Sequence, residues 1–229
     1  MPKIYLSPAA HGRDNPCRYD SACGENIHCN LYMDELEPYL LACGFAVKRN
    51  PKDRTGDRLK EAIAESNAWG ADLHYVAHTN AGGGAYSLLM VYDQGTAYGY
   101  AEKLAARRRE IYAGNVKISV QPQWDELRLT AAPAVYDEMV FHDNAKDIAW
   151  FHEHLREMAE ATAKAICDMF GAAFVDPYAK PAEPAPEPES GGDVWYRVQV
   201  GAFREKANAD WLCAELQGKG YAAFVKAGA

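Results

Sequence analysis

Short apolar runs and longer stretches with an apolar period of three to four residues follow one another along most of this chain. The first kind predicts buried strands and the second predicts helices. Lys3–Ser7 (KIYLS), Phe45–Arg49 (FAVKR), Leu73–Ala77 (LHYVA) and Ser87–Tyr92 (SLLMVY) are predicted strands. Val116–Val120 is strand-like within a polar stretch from Gly114 to Thr130, and Ala134–Phe141 (AVYDEMVF) is mostly apolar with a carboxylate in its middle. A helix is predicted over Glu25–Cys43, with Ile27, Leu31, Leu36, Tyr39 and Leu40 at helical spacing and Gly44 as its stop. Others cover Leu59–Trp69, closed by Gly70, and Thr96–Tyr112. Asn144 can cap a last long helix, where Ile148, Phe151, Leu155, Met158, Thr162, Ile166 and Met169 form one apolar face. Strands alternating with helices predict an α/β domain over residues 1–174, with a twisted, mixed or mostly parallel sheet flanked by helices.

The pattern then changes. Asp176–Asp193 (DPYAKPAEPAPEPESGGD) is rich in Pro, Glu and Ala, so residues 175–193 are expected to be a semi-rigid spacer. Residues 194–229 read as a single βαβ unit: a strand over Tyr196–Val200, a helix over Lys206–Gln217 and a strand over Tyr221–Lys226. One such unit is too small to bury a stable core of its own.

Of the 229 residues, 48% are hydrophobic and 24% charged, an ordinary globular balance. The net charge of -8 argues against nucleic acid, whose phosphates call for clustered Lys and Arg. The basic run Arg107-Arg108-Arg109 lies among glutamates and reads as a solvated helix face. No apolar run reaches the roughly 20 residues of a membrane span. The N-terminal MPKIYLSPAAHG lacks the apolar core of a signal peptide, so synthesis in the cytoplasm is expected. Cys17, Cys23 and Cys29 are evenly spaced but match no zinc pattern. They are free thiols, or Cys17 pairs with Cys23 or Cys29. Cys43 and Cys167 read as small core residues.

Candidate chemistry gathers around ADLHYVAHTNAGGG, where a buried strand ends on His78 and runs into a glycine-rich loop. A His on a strand tip can hold a metal or simply make a hydrogen bond. Metal chemistry needs several ligands from separate elements. His11, on the loop after the first strand, and Glu25, opening the first long helix, are the other candidates. Glu25 also suits a helix N-terminus on charge alone. Glu138 sits inside an apolar strand, where a carboxylate is costly unless it is paired or functional.

Four pieces of the chain resemble the zinc-dependent N-acetylmuramoyl-L-alanine amidases of the AmiC/CwlV type. They are IYLSPAAHG; Glu25 with its helix closing on Gly44-Phe45; AESNAWGADLHYVAHTNAGGG; and EMVFHDNAKDIAWF. Two departures stand out: Ala-His-Gly in place of Gly-His-Gly around His11, and Val140 where the family usually has Gly. The resemblance implies zinc on His11, Glu25 and His78, with Glu138 as catalytic glutamate. It places Asn80, Gly82 and Gly83 at the substrate rim. His28, one turn beyond Glu25, is a reserve ligand; His74 reads as a supporting residue, and His142, His152 and His154 as surface or supporting ones. WYRVQVGAFREKANADWLCAELQGKGYAAFVK resembles the first half of a SPOR domain, a glycan-binding repeat of cell-division and sporulation proteins.

The implied function is a peptidoglycan hydrolase cutting the amide between N-acetylmuramic acid and L-alanine. A catalytically inactive wall-binding protein and a zinc peptidase acting on the stem peptide are the alternatives. Peptidoglycan is the implied partner, and two half-SPOR units could pair into a homodimer. Action on the wall would follow release, by phage-type lysis as with an endolysin or by lysis of a mother cell.

Overall fold

The apolar runs become six strands: β1 (Lys3–Pro8), β2 (Ala46–Arg49), β3 (Leu73–Asn80), β4 (Tyr86–Val91), β5 (Asn115–Val120) and β6 (Ala134–Phe141). They form one sheet in the order β2-β1-β3-β6-β4-β5. β2, β1, β3 and β6 run parallel, β4 and β5 run parallel to each other, and β4 meets β6 antiparallel, so the sheet is mixed. The helices are α1 (Glu25–Ala42), α2 (Leu59–Trp69), α3 (Thr96–Ile111), α4 (Asp125–Arg128), α5 (Ala145–Glu153), α6 (Leu155–Phe170) and α7 (Lys206–Gly218). This computed structural model describes residues 1–9, 15, 24–51, 59–179 and 198–226. The chain divides into two compact units, Met1–Lys180 and Pro181–Ala229.

Side chains alternate across each strand, so the sheet has two distinct faces. One face carries Ile4, Leu6, Leu73, Tyr75, Ala77 and Val135 and packs against α1, α3, α5 and α6 in the main core. The other carries Val76, Ala134 and Tyr136 and meets Leu127 of α4. His78 and Glu138 lie on the face that this second, thinner layer covers.

Several expectations change. The long last helix is two helices, because His154 interrupts it with φ -113° and ψ 20°. Its imidazole stacks on Trp150 and reaches the Trp150 carbonyl at 2.9 Å, a side-chain bond that competes with regular helix. Ile27 and Leu31 are 41% exposed, while His28, Cys29, Tyr32 and Leu36 supply the buried face of α1. The stretch 114–130 contains α4, which the polar pattern concealed.

Arg108 does not lie on a solvated face. It is 2% exposed and donates to Asp137 Oδ2 at 2.7 Å and to Ser87 Oγ at 2.9 Å. Arg107 reaches Asp168 at 2.8 Å, and Arg109 donates to the Val116 carbonyl. The start of the expected spacer is also tied down. Tyr178 packs edge-on against Tyr39 at 5.3 Å, and Cys43 Sγ accepts from the Val175 N–H.

In the second unit α7 forms, but the described segments 198–200 and 221–226 carry no strand. Val198, Val200, Trp211, Tyr221 and Phe224 are each more than 60% exposed. Among the described residues no second layer buries those side chains, so strand pairing there has nothing to stabilise it.

Candidate active site

β3 and β6 lie side by side, and His78 is the register partner of Glu138. Both side chains therefore project from the same face at the same level. Tyr136, two residues earlier on β6, stacks on the His78 imidazole with ring centroids 4.4 Å apart. The first residue of α1, Glu25, reaches the same point. Its Oε1 lies 2.8 Å from His78 Nδ1 and accepts the Thr79 N–H at 3.1 Å. Its Oε2 accepts from Asn15 Nδ2 at 2.8 Å. Glu25 is 3% exposed, His78 6% and Glu138 9%, so two carboxylates and an imidazole share a nearly dry pocket.

Burial alone works against a charge on His78. The hydrogen bond that Glu25 accepts and the charges of Glu25, Glu138 and Glu126 outweigh it and raise the imidazole above its ordinary value. Burial raises the Glu138 carboxyl to about 7; the His78 charge pulls it down, and Glu25 and Asp137 push it further up. Glu138 Oε2 is buried and has no hydrogen-bond partner among the described residues. An orphan of this kind is costly unless a ligand or solvent molecule completes it. The pocket thus holds a carboxylate poised to accept a proton beside a His–Glu pair able to grip a cation.

The remaining predicted residues fall as follows. His11 lies outside the described residues, as do Cys17 and Cys23. Among the described residues, no group of three His, Cys, Asp or Glu is arranged to hold a metal. His28 turns its ring toward α5, edge-on to Phe151 and 4.9 Å from His152. His142 is buried, not on the surface, and its Nδ1 lies 2.9 Å from Thr79 Oγ1. Val140 is fully buried. Asn80 Oδ1 accepts the Ala81 N–H, and Gly82 and Gly83 take positive φ values of 119° and 73°. Their N–H groups point to Asp143, at 2.8 Å for Gly82 and 2.9 Å for Gly83. Desolvation raises the Asp143 carboxyl, but these two donors together with the charge of His142 outweigh it and hold it below its ordinary value.

Gly84 follows in close contact with β6. A Cβ built there would lie 2.4 Å from the Phe141 ring, and Asn144 Nδ2 donates to the Gly84 carbonyl. Gly84→Ala is therefore expected to destabilise the first unit by about 1–3 kcal/mol, the usual range for overpacking. Urea denaturation checks this; an unchanged midpoint would show that the loop shifts freely.

Residues that sequence reasoning missed complete the wall of the site. Glu126 on α4 is buried; its Oε1 accepts from Ser7 Oγ at 2.5 Å and lies 2.9 Å from His74 Nε2. Tyr5 stacks on His74 at 5.2 Å. His74 is thus engaged in the wall of the site, and its partner lies 52 residues away, where no local pattern marks it.

Comparison with known proteins fits this architecture. The solved catalytic domain of CwlV, an N-acetylmuramoyl-L-alanine amidase of Bacillus (Paenibacillus) polymyxa var. colistinus, superposes with TM-score 0.66 at 14% identity, over 76% of this chain and all of that domain. This chain has the fold of the N-acetylmuramoyl-L-alanine amidase catalytic domains. Among curated proteins, the amidase CwlM of Bacillus licheniformis is 30% identical over 182 residues, 75% of this chain and 64% of the relative. The sporulation-specific N-acetylmuramoyl-L-alanine amidase of Bacillus subtilis is 28% identical over 181 residues. The chain spans 64% of the length of each of these two relatives. The SPOR domain family matches residues 160–228. That match begins inside α6, within the first unit, and ends beyond α7.

Proposed function

We propose that this chain is a peptidoglycan hydrolase that cleaves the amide between N-acetylmuramic acid and L-alanine. One observation carries the reading: the buried Glu25–His78 pair stands beside Glu138, whose Oε2 has no hydrogen-bond partner among the described residues. The names of the relatives supply the bond, and the SPOR likeness is in keeping with a wall glycan as partner.

In this reading His11, Glu25 and His78 hold zinc. The donor chemistry suits it, since imidazole nitrogen and carboxylate oxygen are both zinc ligands. The 2.8 Å contact between His78 Nδ1 and Glu25 Oε1 already brings one nitrogen and one oxygen donor together. Zinc, when bound, supplies an acidified water and polarises the amide carbonyl.

The chain's own residues do the rest. Glu138 takes the proton of the attacking water and returns it to the departing amine of alanine. A carboxyl held near 7 by burial is matched to both transfers at neutral pH. Tyr136 fixes the plane of the His78 ring. Asn80, Gly82 and Gly83 form the rim over which the glycan lies, and Asp143 pins that loop through its two backbone donors. A pinned rim holds the scissile bond in place without loop ordering on binding.

Digestion of purified cell wall tests the reading. New N-terminal alanine without new reducing ends is the expected product. New reducing ends, or new amino groups on residues other than that alanine, would overturn it. The metal assignment has its own check: His78→Ala is expected to lose the bound zinc that elemental analysis finds in the wild type, and undiminished zinc would sink it.

A further inference from the structure

A cleft of about 200 Å³ opens beside His78, on the thin face of the sheet. Trp124 and Tyr136 form one wall, packed edge to face at 5.0 Å, and Leu59 of α2 contributes another. Glu126 is its buried polar end. The Glu126 carboxylate is held from one side only: Oε1 takes both Ser7 Oγ and His74 Nε2. Among the described residues no hydrogen bond reaches Oε2. A side chain 5% exposed thus lines a cleft with one oxygen unused.

The chemistry of that cleft favours one kind of group. Among the described residues lining it there is no Lys or Arg, and its carboxylates are Asp125 and Glu126. An anionic ligand would meet repulsion. A primary ammonium would gain a charge-assisted hydrogen bond from Glu126 and the faces of two aromatic rings. The volume is below the roughly 300–1,000 Å³ of pockets that hold a drug-sized ligand, so the occupant is one side chain. An aliphatic stem would suit Leu59, Trp124 and Tyr136. His78 lines the same cleft, which places this group within one peptide's reach of the reacting bond.

We propose that this cleft is a subsite for the ammonium-bearing side chain of a diamino acid in the stem peptide, with Glu126 as the residue that selects it. The proposal rests on the amidase reading for the identity of the peptide. Ser7 and His74 act as positioning residues, since they hold Oε1 and leave Oε2 to the ligand. Tyr5 in turn holds the His74 ring.

The test compares N-acetylmuramoyl-L-alanyl-D-isoglutaminyl-L-lysine with its norleucine analogue, which has the same stem and no ammonium. With the full wild-type chain, kcat/KM for the lysine compound is expected to be about tenfold or more above the norleucine compound, the effect falling in KM. In Glu126→Gln that ratio is expected to close to within about twofold, whatever the absolute rate. Trp124→Ala, at the open side of the cleft, should narrow the same ratio if the buried variant does not fold. A second arm measures calorimetric binding of the two free tripeptides to Glu138→Gln. Equal cleavage of both compounds by the wild type overturns the subsite and leaves the amidase reading standing. If neither compound is cleaved but the lysine peptide binds tighter in a Glu126-dependent way, the amidase reading falls and the subsite stands.

Discussion

Glu138→Gln should lower the rate at which purified wall yields new N-terminal alanine by about 10²–10⁴-fold, the range for loss of a general base. The substitution keeps the side chain's volume in a pocket where the native residue is 9% exposed, so packing changes little. It removes the one property the proposed step needs, an oxygen that can take and return a proton. Because Glu138 is not among the proposed metal ligands, zinc content should stay at the wild-type level. KM for a soluble muropeptide should also change little, since the lost interaction belongs to the transition state. The combination separates this residue from His78, whose loss should remove metal and activity together. Wild-type activity in Glu138→Gln would end its assignment as base. Equal loss of zinc in both variants would instead move Glu138 into the metal shell.

Glu138 was legible in the sequence for a physical reason. A carboxylate inside an apolar strand costs several kcal/mol unless it is engaged, so its presence there is information. The same argument holds for Asp137, one position earlier. Asp137 is fully buried on the opposite face of the sheet. Its partner Arg108 was hidden by company: three consecutive arginines on a helix look like a solvated face, and nothing local distinguishes the middle one. The two meet only because α3 packs over β6, 29 residues apart in sequence. Glu126 was hidden in the same way, in a short helix with no apolar period. The strand–helix alternation, by contrast, is a local signal, and the six strands follow it closely. Where period alone was trusted it erred at Ile27 and Leu31, because spacing fixes a face but not which neighbour covers it. The second unit marks another limit. The alternation over 198–200 is present, yet a strand forms only against a partner.

Breaking the Arg108–Asp137 pair from one side should cost about 3–5 kcal/mol, because it strands a charge in the core. The pair is the hub of a wider network. Tyr75 donates its hydroxyl to Asp137 Oδ2 at 2.6 Å, Tyr32 lies 3.1 Å from Tyr75, and Tyr32 donates to Thr162 at 2.7 Å. These groups come from α1, α3, α6, β3 and β6, so one polar cluster ties the helix layer to the two strands that carry His78 and Glu138. Burial works against the Arg108 charge, but Asp137 more than compensates and holds the guanidinium above its ordinary value. The phenols respond oppositely: burial lifts Tyr32 to about 12 and Tyr75 well above its usual value, which keeps both as neutral donors. Against a typical domain stability of about 5–15 kcal/mol, Arg108→Met or Asp137→Leu alone removes about a fifth or more. The double variant Arg108→Met/Asp137→Leu should recover much of that loss, since an apolar pair of similar volume leaves no stranded charge. Urea titration of the four proteins measures it as a double-mutant cycle. Single variants within about 0.5 kcal/mol of wild type would show that the pair is not buried as described. Activity should not recover with stability to the same degree. Asp137 and Glu138 are consecutive on β6 and point to opposite faces, so the anchor on one side sets the register and tilt of the proposed base on the other.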